Sequence, residues 1–297
     1  MGIIKEIKKL FNKKKKLRER AQLISSMREY YDKNPQFKDE KIEEALSYIE
    51  KNGWHIFPYE FNEKYKADDI DVLTDSESGL RYVMHNGNRL YFRRKTKESR
   101  VKRHYSLLLC EQDPESAHSY ISESFGFEKG DILFDIGAAE GNFSLSMVEK
   151  ASKIYLFESD KEWDEPLKKT FEPWKDKVVI IHKFVSDIDS ETCITIDSVV
   201  KDLEPGSSVF LKMDVEGAET SVIAGAKKIF DSGNYNVKTV ICTYHEANDY
   251  VDLSDIMHQK KYAVETSSGY MIFSKGKFVA PYFRRGVIRC SKSMIVS

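Results

Sequence analysis

The sequence is poor in cysteine and proline, carries no overall excess of charge and has no long apolar run. Its 297 residues include four cysteines, which lie far apart without a C-x-x-C pair, and seven prolines. This spacing argues against a disulfide framework or a zinc knuckle and is typical of a reducing compartment. No apolar run approaches the ~18 residues that a membrane-spanning helix needs, and residues 1–6 show no apolar signal-peptide core. We therefore expect a cytoplasmic protein.

The composition is that of a folded protein whose charge is balanced overall but uneven along the chain. A hydrophobic content of 41% with 12% aromatic residues excludes a mostly disordered chain. The 47 Lys and Arg balance 48 Asp and Glu, so no global basic field attracts nucleic acid. Residues 5–20 nevertheless hold nine basic side chains against two acidic ones, and residues 89–103 hold eight against one. Each run indicates either a solvated surface or contact with an anionic partner.

The first half of the chain differs in pattern from the second. Apolar residues at helical spacing predict helices over 3–29 and 38–51. Asn86-Gly87 stands between two apolar runs and predicts a β-hairpin, because this pair readily adopts the positive φ of a tight turn. The pattern divides the chain into a basic helical segment (1–52), a small β-rich extension (53–110), a cofactor-binding domain (111–275) and a C-terminal tail (276–297).

From about residue 131, short apolar strands alternate with amphipathic helices. This alternation predicts an α/β fold with a doubly wound, mostly parallel sheet, in which ligands bind at the carboxyl ends of the strands. The predicted strands are 131–136, 153–157, 178–182, 208–213 and 237–243, the predicted helices are 142–150, 162–171, 219–230 and 250–259, and 262–266 and 270–274 are predicted to form a closing strand pair.

The ends of the first two strands predict a cofactor that contains a nucleoside. The first strand runs through Asp135 into a turn with Gly137 and Gly141, and a helix follows. Glu158, at the end of the second strand, is placed to accept hydrogen bonds from both ribose hydroxyls. The competing interpretations are that the glycines serve only the geometry of the turn and that Glu158 is a solvated acid in a loop.

The spacing favours S-adenosylmethionine over a dinucleotide. Ala139 stands where a dinucleotide fold has the glycine that admits the pyrophosphate. A short-chain dehydrogenase would also need Y-x-x-x-K downstream, whereas the spacing Tyr91 to Lys95 lies upstream of the turn. Asp187, after the third strand, is a candidate for contact with the adenine amino group.

Five motifs follow one another over roughly residues 111–275. They are DIGAAEGNFSL (135–145), FES (157–159), ITIDSVV (194–200), KMDVEGAE (212–219) with Gly225-Ala226, and a strand ending in YHE (244–246). Taken in this order, the motifs resemble the FkbM-type methyltransferase family. The resemblance implies a Rossmann-like class I methyltransferase fold and S-adenosylmethionine-dependent O-methylation, and the pattern of the first half adds an N-terminal helical and β extension. The usual acceptors of the family are hydroxyl groups of sugars or of other secondary metabolites.

A further stretch, residues 111–120, resembles an acidic segment with His-x-Tyr that precedes the glycine turn in some members of the family. It contains His118 and Tyr120. The segment either forms a wall over the cofactor or is simply the capped start of a helix.

Three residues after the fourth and fifth strands are candidates for catalysis at the acceptor: Asp214, Glu216 and His245. Removal of a proton by a general base typically adds about 10²–10⁴ in rate, and His245 is the favoured base because histidine titrates near neutral pH. His245 could instead make a structural hydrogen bond, and the acids could favour the N-terminus of the next helix, for which Glu219 is better placed. Asp214 and His245 could also share a divalent cation, but no tight ligand spacing supports this, and no metal is expected.

The expected acceptor is a small molecule, a glycan or a glycolipid. Methylation of RNA is an alternative that the basic runs suggest, but the cofactor domain has no basic bias and nucleic acid is not expected as a partner. A third alternative is a non-catalytic scaffold at a membrane surface. Residues 1–29 combine an apolar stripe with lysines, a pattern typical of helices that lie on anionic membranes.

Overall fold

A computed structural model describes residues 2–274 and 278–292, with the side chains of residues 2–14 and 16 left outside the description. The α-helices are α1 (Gly2–Lys33), α2 (Glu40–Asn52), α3 (Glu98–Glu111), α4 (Asn142–Met147), α5 (Asp164–Thr170), α6 (Ile196–Val200), α7 (Glu219–Ala224), α8 (Lys227–Asp231) and α9 (Asp249–Gln259). The strands are β1 (Leu73–Thr74), β2 (Arg81–His85), β3 (Asn88–Tyr91), β4 (Ile132–Ile136), β5 (Lys153–Phe157), β6 (Val178–Ile181), β7 (Phe184–Val185), β8 (Cys193–Ile194), β9 (Ser208–Met213), β10 (Asn236–Cys242), β11 (Ala263–Thr266), β12 (Met271–Ile272), β13 (Phe283–Arg284) and β14 (Val287–Ser291).

The central sheet has seven strands in the order β11-β14-β10-β9-β4-β5-β6. The five strands from β10 to β6 are parallel to one another. Alternate residues of these strands enter two separate apolar cores, one on each face of the sheet, so both faces are covered. The chain turns from one side of the sheet to the other between β4 and β9, which is where a doubly wound fold binds its ligand. The predicted doubly wound α/β fold is confirmed.

The predicted closing strand pair is wrong. β11 pairs with β14 rather than with the segment that follows it, and β12 pairs with β13. β14 lies inside the sheet, antiparallel to both β10 and β11, so residues 276–297 are more than a tail. The sequence pattern does not predict this strand because the strand contains Arg289, and a charged residue is rare at a buried position. Arg289 is 5% exposed, and its guanidinium donates hydrogen bonds of 2.7 Å to Glu265 Oε1 and to the Ser119 carbonyl oxygen.

The predicted helix 219–230 is interrupted at Gly225. A Cβ atom at Gly225 would lie 2.0 Å from the carbonyl oxygen of Ser186, so the loop after β7 packs directly on the helix backbone at this point. The glycine permits this close approach, and the helix continues afterwards as α8.

The N-terminal extension packs on the cofactor domain. The predicted hairpin is confirmed, with Asn86 at φ 51° and Gly87 at φ 81° between β2 and β3. In α1, Met27 and Tyr31 are buried, and the Tyr31 ring lies 5.5 Å from that of Phe283. Leu17 is exposed, and the apolar residues predicted before position 15 lie outside the described side chains. Among the described residues, no helix is both long and apolar enough to cross a membrane.

Candidate functional site

The turn after β4 is shaped by close backbone contact. Gly137 has a φ of 79°, and a Cβ atom there would stand 1.9 Å from the carbonyl oxygen of Asp214. Gly141 has a φ of 76°, and its Cβ would meet the Phe171 ring at 2.8 Å. Both positions therefore require glycine. Gly137 lets the ends of β4 and β9 approach each other, and Gly141 lets α5 pack against the start of α4.

A cavity of about 320 Å³ opens beside this turn, at the carboxyl ends of the parallel strands. Its volume falls within the range of small-molecule sites, about 300–1,000 Å³. Glu158 lines it and accepts hydrogen bonds from the backbone N–H groups of Ala139 (2.9 Å) and Asp160 (2.7 Å). A carboxylate has about four acceptor positions, so Glu158 can still bind ribose hydroxyls. The other lining residues are Ile136, Gly137, Phe157, Ser159, Lys183, Phe184, Val185, Ser186, Cys193, Val215, Glu216, Ala218 and Ser221. Apolar walls with a carboxylate held at the end of β5 fit the adenosine part of S-adenosylmethionine, and a second carboxylate, that of Glu216, also lines the cavity.

Asp135 is not among the lining residues of the cavity. It is 1% exposed, accepts a hydrogen bond from the Ser144 hydroxyl at 2.6 Å and forms an ion pair with Lys212 at 3.0 Å. Lys212 also donates to the carbonyl oxygen of Gly137. Burial would lower the pKa of Lys212, but Asp135 and Asp214 raise it above its ordinary value. Asp135 therefore stabilises the glycine turn indirectly, through the buried ammonium group of Lys212, which contacts both Asp135 and the Gly137 carbonyl oxygen.

Asp187 is exposed and is not among the residues that line the cavity. Its carboxylate accepts a hydrogen bond from Ser186 Oγ at 3.0 Å, and Ser186 itself lines the cavity. Contact between Asp187 and adenine remains a prediction.

Asp214 is the centre of a polar cluster after β9. Its two carboxylate oxygens accept hydrogen bonds from the hydroxyls of Tyr120 and Tyr244, each at 3.0 Å. Burial would raise the pKa of Asp214, but His245 and Lys212 hold it well below its usual range. The carboxylate is therefore ionised, and its side chain keeps 20% of its surface exposed.

His245 lies among three carboxylates, and its side chain is fully buried. Nε2 is 3.3 Å from Asp214 Oδ1 and 3.9 Å from Glu216 Oε2, while Nδ1 is 3.0 Å from Glu219 Oε1. Burial would lower the pKa of His245, but Asp214 and Glu219 outweigh it and raise the pKa to about 9. An imidazole that already carries a proton cannot accept another, so this arrangement does not favour His245 as the general base.

Glu216 occupies a backbone conformation that is uncommon for a residue with a side chain. Its φ is 58°, and Gly217 follows with a φ of 97°. Left-handed geometry at a non-glycine residue costs roughly 1–2 kcal/mol and occurs often at functional sites. Glu216 lines the cofactor cavity and also faces His245. Its side chain thus stands at the boundary between the cavity and the Asp214 cluster.

The segment 111–120 supplies site residues that the sequence alone did not assign. His118 is buried, and its Nε2 lies 3.4 Å from the Tyr244 hydroxyl and 3.7 Å from Asp214 Oδ2. Burial lowers the pKa of His118 to about 4, so this ring is neutral. The His-x-Tyr pattern was the available signal, and the segment forms a wall of the Asp214 cluster.

Further acids surround the same cluster. Burial raises the pKa of Glu111 well above its usual value, and the charges of Asp214 and Glu140 act in the same direction. Glu140 is buried and lies 3.2 Å from His104 Nε2. Because a raised pKa favours the protonated form of a carboxyl group, Glu111 adds little negative charge to the cluster.

Comparison with known proteins identifies the family. The sequence model of the Methyltransferase FkbM domain matches residues 82–264. No curated protein sequence matches the chain. A methyltransferase FkbM from Methylobacillus flagellatus is similar in structure, with 17% identity and a TM-score of 0.44; the match covers 65% of this chain and 54% of that one. This chain thus spans about half of that protein's length.

Two further solved structures share parts of the fold. TrmK from M. capricolum, solved in complex with SAH, has 12% identity and a TM-score of 0.37, and covers 56% of this chain and 64% of its own. An rRNA methylase from Streptococcus thermophilus has 11% identity and a TM-score of 0.35, and the match covers 56% of this chain and 88% of that one. The family match extends over more than half of the chain, which therefore belongs to the FkbM methyltransferases.

Proposed function

We propose that this enzyme methylates a hydroxyl group of a carbohydrate, in a glycan or a glycolipid. The observation that carries the proposal is the position of Glu216, which lines the cofactor cavity and also lies 3.9 Å from His245 in the Asp214 cluster. An acceptor bound on Asp214 and Glu216 would therefore face the reactive end of the cofactor.

The chemistry of the cluster suits a sugar better than a nucleic acid. Carboxylates accept hydrogen bonds from the vicinal hydroxyls of a sugar, and they repel phosphates. Aromatic rings offer the apolar faces on which a sugar ring packs. Phe273 lies 4.8 Å from Tyr244 and 5.6 Å from His245, measured between ring centroids.

The residues of the cluster have separate parts in this proposal. Bound S-adenosylmethionine supplies a methyl group on a positively charged sulfur. Asp214 and Glu216 accept hydrogen bonds from the acceptor hydroxyl and align its oxygen, and alignment alone can contribute several kcal/mol. As the new C–O bond would form, the methyl–sulfur bond would break and leave the neutral thioether, and the proton of the acceptor oxygen would pass to a carboxylate oxygen of this pair. His245 is a positioning residue that holds Asp214 and Glu216 together.

A screen of acceptors with a labelled methyl donor tests the proposal. Glycans, glycolipids and RNA are offered side by side, and we expect label in an alkali-stable ether on a sugar. Glu216→Gln should reduce labelling at least ~10-fold, the lower end of a proton-transfer effect, whereas Glu204→Gln, an exposed acid in another loop, should not. Label in RNA would overturn the proposal, and cofactor binding without labelling of any acceptor would favour a scaffold.

We also propose that the start of α1 rests on an anionic membrane, close to a lipid-linked acceptor. The second half of this helix is fixed to the protein through Met27 and Tyr31, while Leu17 is 57% exposed and residues 18–22 are exposed as well. Lys15, Arg18 and Arg20 of the basic run 5–20 are exposed too. Sedimentation with anionic vesicles tests the idea: we expect binding at low salt that high salt removes. No binding at low salt would exclude it.

A further inference from the structure

His245 is placed as metal-binding histidines are placed. Such a histidine usually gives one ring nitrogen to the metal, while the other nitrogen contacts a carboxylate that fixes the orientation of the ring. In this protein, Nδ1 lies 3.0 Å from Glu219 Oε1, and Nε2 faces Asp214 and Glu216. Glu219 is itself fixed, since it is buried and accepts a hydrogen bond from the Val215 N–H at 3.0 Å.

The distances around Nε2 suit a cation. Ligand atoms about 2.1 Å from one metal, at tetrahedral or octahedral angles, lie about 3.0–3.4 Å apart. The distance from His245 Nε2 to Asp214 Oδ1 is 3.3 Å. The distance to Glu216 Oε2 is 3.9 Å, and this side chain is 78% exposed, so a small rotation can bring it to ligand distance.

A second observation concerns the direction of these groups. The His245 side chain is fully buried, yet within the described part of the chain its Nε2 has no hydrogen bond of acceptable geometry, although Asp214 Oδ1 lies 3.3 Å away. Ligands of one cation direct their lone pairs at the cation and not at each other. A close imidazole and carboxylate without a straight hydrogen bond between them therefore fit a shared cation.

We propose that His245 Nε2, Asp214 and Glu216 bind one divalent cation, with Glu219 orienting the imidazole. One nitrogen and several carboxylate oxygens favour a metal of intermediate hardness, such as Mn²⁺ or Zn²⁺. Binding of the cation at Nε2 releases the proton that the imidazole otherwise carries, because a histidine ligand is neutral, and it does not depend on the acceptor. Its chemical role rests on the proposed function: an acceptor hydroxyl bound to the cation becomes more acidic, and its proton passes to a carboxylate oxygen that does not bind the metal.

Titration of chelator-treated full-length protein with Mn²⁺, followed by electron paramagnetic resonance, tests the site without any acceptor. We expect one saturable Mn²⁺ per chain. Binding should be lost in His245→Gln and Asp214→Asn, and it should weaken about 10–100-fold in Glu219→Gln, as for other residues that orient a ligand. The exposed control Glu204→Gln should bind as the unmodified protein does. Affinity for S-adenosylhomocysteine, measured on each variant, shows that the variants are folded.

Several results would overturn the proposal. One is the absence of saturable binding at millimolar Mn²⁺, and another is binding that survives in folded His245→Gln. A third is loss of binding in Cys242→Ser, because Cys242 and His118 form a different set of ligand atoms around Asp214. Since no acceptor is present in this experiment, its outcome is separate from that of the acceptor screen.

Discussion

The two halves of the sheet's ligand-binding edge are built in different ways. After β4 and β5, the cofactor half consists mainly of backbone, with Gly137 packed against β9 and Glu158 held by two N–H groups. The half after β9 and β10, which we propose binds the acceptor and call the acceptor half, contains the charged side chains of Asp214 and His245. Lys212 of β9 joins the two halves, because it forms an ion pair with Asp135 and donates to the Gly137 carbonyl oxygen. Buried charges are stable only in each other's presence. The acceptor half should therefore be far more sensitive to the loss of one side chain.

The largest effect is expected at Lys212. Lys212→Met leaves Asp135 buried without its ion-pair partner, and breaking a buried pair typically costs 3–5 kcal/mol, so we expect a loss of about 3–5 kcal/mol in the free energy of unfolding. Urea denaturation measures this change. The double variant Asp135→Asn/Lys212→Met should recover part of the loss, because it leaves no isolated charge. A loss below ~1 kcal/mol in the single variant would show that the buried charges do not depend on each other.

The next effect concerns the cofactor half. Glu158→Ala removes the expected acceptor of the ribose hydroxyls, and hydrogen bonds to a charged group contribute about 1.5–3 kcal/mol each. Affinity for S-adenosylmethionine, measured by calorimetry, should fall at least ~10-fold. Glu191→Ala, an exposed acid in the loop near the cavity, is the control and should bind normally. Unchanged affinity in Glu158→Ala, or tighter binding of a nicotinamide cofactor, would contradict the assignment.

A smaller effect should separate the two halves directly. Tyr120→Phe removes one hydrogen bond to Asp214, worth about 1–2 kcal/mol, so kcat on a true acceptor should fall roughly 5–30-fold while cofactor affinity stays constant. Tyr105→Phe is a matched control, since it removes a buried tyrosine hydroxyl that donates to the Met84 carbonyl oxygen in the extension. This control should lose stability without a change in kcat. Equal effects of both variants on kcat would argue that Tyr120 acts only through stability.

The smallest effect is expected at Asp187. If its carboxylate accepts a hydrogen bond from the adenine amino group, Asp187→Ala should weaken cofactor binding by about 1 kcal/mol, or roughly fivefold. Binding of a cofactor analogue whose purine lacks the amino group should not change. A loss that is equal for both ligands would assign Asp187 to the loop structure and not to adenine.

The strand, turn and helix of the cofactor half were predictable because the sequence signals for them lie close together in the chain. A strand, a glycine turn and a helix follow one another within residues 132–147, and Glu158 ends the next strand. The acceptor half depends on contacts between distant segments. Tyr120 and Asp214 are 94 positions apart, so nothing in the neighbourhood of either residue shows the pairing.

Local patterns also failed where a buried position carries a charge. Arg289 in β14 and Lys212 in β9 are both buried, and each is compensated by an acid on another element, Glu265 and Asp135 respectively. In β9 the flanking apolar residues were enough to predict the strand. In β14 the flanking apolar residues were not enough, and this strand inside the sheet was wrongly assigned to the C-terminal tail.

The position of β14 has a consequence for biosynthesis. A ribosome makes β10 well before β14, and the intervening residues 243–286 take several seconds to translate at about 5–20 residues per second. During that interval the edge of β10 that later binds β14 stays open, as an unpaired strand edge able to associate with other chains. Until Phe283 is synthesised, the ring of Tyr31 in α1 also lacks its packing partner. The nascent chain therefore passes through a stage in which its sheet and its N-terminal helix both lack their final partners. Chaperones that shield open strand edges would act at this stage.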